Sequence, residues 1–176
     1  MEQHQPILPR TNLAGITITA LWRLVAVSAD GAIPLRGTLV LETPEGCFLL
    51  FYAQEGFTIS GPSPRSALRW PAEPDLSMDD RGAEEWLEFG TLEDSTISPF
   101  PLPVRTMRTW TAQGDYLAAV ALSFSDGTTE LVVTTTDSFD LECVDRATAT
   151  AYVAAVAENL GLPVRHAVFS ADRPPR

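Results

Sequence analysis

Nine carboxylates fall between residues 73 and 94: Glu73, Asp75, Asp79, Asp80, Glu84, Glu85, Glu88, Glu93 and Asp94, with Arg81 the one cation among them. Trp86 and Phe89 are set among these acids. Charge of one sign around aromatic side chains suits docking onto a basic protein surface, because the field steers the encounter and a buried ring anchors it. Asp79, Asp80, Glu84, Glu85, Trp86 and Glu88 are therefore the candidate partner-binding residues. The competing reading is a solvated acidic loop that Trp86 and Phe89 pin to the sheet. Within the stretch, "DLSMDD" holds three carboxylates that invite a calcium reading, but the spacing is not that of an EF-hand and Gly82 is misplaced for such a loop. No metal is expected.

A second candidate lies in "VRTMRTW", where strand alternation sets Arg108 and Trp110 on one face. A guanidinium beside an indole can hold a small anionic ligand, so Arg108 and Trp110 are the candidate ligand-binding residues. The plainer expectation is that Arg108 pairs with an acid on a neighbouring strand. For catalysis the inventory is thin. His4 lies in the N-terminal tail, which leaves His166 as the imidazole to consider. Cys143 with His166 would make a thiol nucleophile and base, but Cys143 falls at an inward strand position, where thiols are inert. No nucleophile elbow, P-loop, dinucleotide fingerprint or zinc spacing occurs. No catalytic residue or cofactor is assigned, and the reading leans away from an enzyme.

Composition narrows the classes further. The chain has 176 residues, 23 acids and 12 basic residues, for a formal net charge of -11. All of the basic residues are Arg, a bias of the kind GC-rich coding produces. A surface this negative repels nucleic acid and anionic membrane and attracts basic partners or cations. "MEQHQPILPRTNLAG" lacks the pattern of a secretory signal, and no stretch approaches the ~18 apolar residues of a membrane span. A cytoplasmic location is expected, with Cys47 and Cys143 as reduced thiols in apolar strand patterns. A hydrophobic fraction of 45% is ordinary for a globular domain.

The elements that must position these residues read as an α+β fold, mostly antiparallel β, in a single domain over residues 1–176. A first β half spans 15–60, an acidic Pro-rich insert 61–101 and a second β half 102–143. A helix at 145–161 and a last strand at 162–170 follow. In the first half, Ile16, Ile18, Ala20, Trp22, Leu24 and Ala26 alternate onto one strand face. "GTLVLET", "PEG" and "CFLLFYA" then read as a hairpin whose second strand is apolar on both faces and therefore central. In the second half, Tyr116, Ala118, Val120, Leu122 and Phe124 share a face. "SDG" turns the chain into "TELVVTTT", and Phe139, Leu141 and Cys143 point inward. Prolines in "GPSPRSALRWPAEP" forbid a continuous helix or central strand in the insert, though "EWLEFGTL" has the pattern of a short strand.

The halves recur in order, which predicts one unit used twice and arranged as a sheet or barrel. Setting Gly46 against Gly127 pairs Leu41 with Leu122 and Leu50 with Leu131. One residue later, Phe57 meets Phe139 and Ile59 meets Leu141. In the helix, Asp145 is the N-cap, Gly161 the C′ residue and Pro163 the stop. Ala149, Tyr152, Val153, Val156 and Leu160 form its buried stripe, with Ala154 and Ala155 small enough to let it approach the sheet.

Three functional readings follow. The first is a non-enzymatic acidic protein that binds a basic protein partner, as an inhibitor or immunity-type protein would. The second is a small-ligand binding or sensing domain with its pocket between the two halves. The third is a hydrolase whose carboxylates are brought together only by the fold.

Overall fold

A computed structural model describes residues 11–28, 31–53, 56–68, 87–91, 100–113, 116–135, 140–161 and 163–172. Within them run β1 (Thr17–Ile18), β2 (Ala20–Ser28), β3 (Gly31–Pro34), β4 (Thr38–Thr43), β5 (Gly46–Ala53) and β6 (Gly56–Ser63). These are followed by β7 (Leu87–Thr91), β8 (Leu102–Gln113), β9 (Tyr116–Phe124), β10 (Glu130–Thr135), β11 (Leu141–Val144), α1 (Arg146–Leu160) and β12 (Arg165–Ser170). All the strand pairings are antiparallel.

The strands form two five-stranded arrays, β7-β2-β4-β5-β6 and β12-β8-β9-β10-β11, while β3 pairs with the far end of β2. A single ladder pair, Phe57 with Leu117, joins β6 to β9, and β1 ties the start of the chain to β8. The sheet is not closed into a barrel.

Ladder register makes the two arrays equivalent. Leu21, Leu41 and Phe48 form one rung across β2, β4 and β5, and Met107, Leu122 and Leu131 form its counterpart across β8, β9 and β10. The next rungs are Leu39–Leu50–Ile59 and Val120–Val133–Cys143. All of these side chains meet in one core between the arrays. The expected match of Leu41 with Leu122 holds, whereas Leu50 answers to Val133 and Ile59 to Cys143. Turn length is the cause. Thr43 pairs with Gly46 around two residues, but Phe124 N–H reaches Thr129 O across four, so Gly46 and Gly127 are not equivalent. Phe139 lies outside the described residues.

Two interruptions change which side chains face inward. At Thr19 both the amide and Oγ1 donate to Glu42 O, at 2.8 and 3.0 Å, and the strand expected over 15–29 breaks there into β1 and β2. Ile16, Ile18 and Leu21 consequently face the main core, while Trp22 and Leu24 turn to the opposite face with Val40, Cys47, Leu49 and Leu68. In β9 the register against β8 passes from Trp110–Ala119 to Thr111–Leu117, leaving Ala118 as a bulge. The core residues are therefore Leu117, Val120, Leu122 and Phe124. Tyr116 and Ala118 do not share their face.

The outer face of the second array is covered by α1. Asp145 caps it by accepting from Thr148 N at 2.7 Å, and Gly161 ends it in the left-handed region. Ala149 and Val153 are buried against the sheet, Tyr152 and Val156 flank them, and the Tyr152 hydroxyl lies 2.6 Å from Thr135 Oγ1. Ala154 and Ala155 are exposed, contrary to expectation. The small residues that admit the helix are on the sheet, at Ala118, Ala119 and Ala121. The side chains of Ala26 and Leu160 lie outside the described residues.

Candidate functional site

Asp79, Asp80, Glu84, Glu85 and Trp86 lie outside the described residues. Glu88 belongs to β7, where its backbone pairs with Val25. The described segments on either side of residues 69–86 both contact β2. Upstream, a short 3-10 turn (Arg65–Ala67) leads to Leu68, which is buried with Leu24, Val40, Cys47 and Leu49. The Arg65 guanidinium sits 5.3 Å from the Trp22 ring, and Trp22 Nε1 donates to Glu42 Oε2 at 2.6 Å. Downstream, β7 adds to the open edge of β2 with Phe89 opposite Leu24. Leu68, just before residues 69–86, and β7, just after them, therefore both contact β2. Burial raises the Cys47 thiol above its ordinary value and Glu42 adds to this, against a smaller opposing effect of Arg65. That thiol is a structural one.

The second candidate lies on the other array. On the outer face, His166, Trp110 and Ala119 make one rung, and Val168, Arg108 and Ala121 make the next. Trp110 packs under Val153 and Val156 of α1, and its other side meets His166, with ring centroids 5.2 Å apart at 34°. Arg108 does not form the ion pair expected of it. Its ladder neighbours are Ala121 and Val168, neither of which has a side chain that can accept a hydrogen bond. Glu130, farther along β10, is taken by Arg146, whose Nε donates to it at 2.9 Å. Arg108 is half-buried and its Nε is buried without a hydrogen-bond partner. Val168 beside it is 51% exposed.

Cys143 and His166 are not brought together. They occupy β11 and β12, the two outer strands of the second array, with β8, β9 and β10 between them. Four inter-strand spacings of ~4.8 Å put them roughly 19 Å apart. Cys143 instead packs against the main core, and neither Cys47 nor Cys143 forms a disulfide. The Arg23 guanidinium is close enough to Cys143 and Asp140 to interact electrostatically. It donates to Arg36 O and, at 2.9 Å, to Leu141 O, tying β2 to the start of β11. Burial nonetheless lowers its pKa. No group of three or more His, Cys, Asp or Glu side chains suited to a metal occurs among the described residues. No described helix is long and apolar enough to cross a membrane. The space between the arrays is filled by the main core, from Leu13 to Leu141.

Sequence reasoning considered His166 only as a base. Its stacking on Trp110, and the exposure of Val168 beside Arg108, follow from the pairing of β12 with β8, which a single sequence does not disclose. Comparison with family models, curated proteins and solved structures found no match.

Proposed function

We propose that this chain is a non-enzymatic acidic interaction protein that binds a basic protein partner, in the manner of an inhibitor or immunity-type protein. Support comes from the way the acidic stretch is mounted. Its eight net negative charges, nine acids less Arg81, are most of the molecule's -11, and the described segments on either side of residues 69–86 are both held on β2, Leu68 against Leu24 and β7 in register with it. Fixing the ends of a binding segment in advance removes part of the entropy that docking would otherwise cost. Asp79, Asp80, Glu84, Glu85 and Glu88 supply the steering field and Trp86 the anchor. Cysteines that form no disulfide suit a reducing compartment such as the cytoplasm.

An interaction carried by charge weakens as ions screen it, since the Debye length falls from ~30 Å at 0.01 M salt to ~3 Å at 1 M. Partner retained on the immobilised protein at low salt should therefore elute steeply with rising salt. Retention that survives high salt and yields only to detergent would contradict the reading.

A further inference from the structure

We propose that the outer face of β8 and β12, beside α1, binds a small arene carboxylate through Arg108. The site is built from β8 and β12, whereas β7, which carries Glu88, pairs with β2. Arg108 is a permanently charged group held half-buried, with a buried Nε that no protein atom accepts from. Charged groups in such positions are ordinarily paired, so one left without a partner asks for a ligand. The surroundings say what kind.

Ala121 on one side is fully buried with Ala149 of α1, and Val168 on the other presents an exposed apolar side chain. One rung away, the Trp110 and His166 rings meet at a tilt of 34° and form an aromatic wall. A guanidinium presents a planar fork of N–H donors that matches a carboxylate in two parallel hydrogen bonds. Among the described residues no second guanidinium shares the Arg108 rung, and a single guanidinium suits a monoanion better than a phosphate dianion. The apolar body of the ligand would lie across Val168 against the Trp110–His166 edge. A modest turn of the Arg108 side chain brings Nε into the fork, so that the orphaned donor is satisfied when the ligand binds.

The test is a nuclear magnetic resonance titration of the full chain with benzoate, with neutral benzamide and inorganic phosphate as comparisons. It is run on wild type and on Arg108→Met, a substitution that keeps the length of the stem and removes the charge. Benzoate should shift the amides of β8 and β12 saturably in wild type, benzamide and phosphate should not, and Arg108→Met should lose the response. Without ligand, Arg108→Met should unfold at the same temperature as wild type or higher, because an unpaired buried donor has been removed. Benzoate binding retained by Arg108→Met would overturn the assignment. So would phosphate binding as tight as benzoate, or β8 and β12 amides that benzoate leaves unmoved.

Discussion

Asp126 shows how much local hydrogen bonding fixes at a single residue. Its carboxylate accepts from Thr129 N at 2.9 Å, Thr128 N at 3.1 Å and Thr129 Oγ1 at 2.5 Å. The Thr129 bonds are the larger cause that lowers its pKa from 3.8 to about 2. A carboxyl whose folded pKa is depressed adds stability that is complete above the unfolded value and is lost as pH falls through the folded one. Asp126→Asn should therefore be less stable than wild type at neutral pH, and the gap should close between pH 3.8 and about 2 in urea unfolding across pH. A gap that stays constant over that window would show that the carboxylate's charge contributes nothing. Residues whose partners are this close in sequence were legible in advance: Asp145 and Gly161 terminate α1 as read. Arg108 was not, because its neighbours depend on the register of β8 against both β9 and β12.

At the scale of elements, the order of strands was legible from turn residues and alternation, while the inward faces were not. The break at Thr19 and the bulge at Ala118 each shift the alternation by one residue, and one residue exchanges the two faces of a strand. Nothing in "GITITALWRL" or "DYLAAVALSF" marks those shifts, since apolar residues stand on both sides of each. The equivalent rungs in the two arrays are what one unit used twice would give, with the second hairpin turn lengthened by two residues. The contact between the arrays makes its own demand. A Cβ at Gly56 would stand 2.6 Å from Leu117 O and 3.0 Å from Tyr116 Cβ, so the β6–β9 join needs glycine there. Gly56→Ala should cost about 1–3 kcal/mol as overpacking of this contact, read as a lower urea midpoint. An unchanged midpoint would mean that β6 and β9 are free to separate. Gly61, with φ of 130° and Cys47 O 2.7 Å from its built Cβ, serves the bulge between β5 and β6 in the same way.

At the scale of the whole molecule, charge and core are kept apart. The main core is apolar and shared by both arrays, and the outer face of the second array is closed by α1. On the first array, Leu68 packs on the outer face of β2 and β7 pairs with its edge. That the stretch is acidic and bounded by prolines was plain from composition; that Leu68 and β7 both meet β2 required the fold. Neutralising the acids should leave stability nearly unchanged, since exposed charges far from buried features contribute within ~0.5 kcal/mol, but it should remove the field that draws a basic surface.

The most direct measurement compares two immobilised proteins in the same low-salt native lysate: wild type, and a variant carrying Asp79→Asn, Asp80→Asn, Glu84→Gln and Glu85→Gln. Bound proteins are identified by mass spectrometry. The account predicts a basic protein that wild type retains and the variant loses while both remain folded. Identical eluates from the two would contradict it.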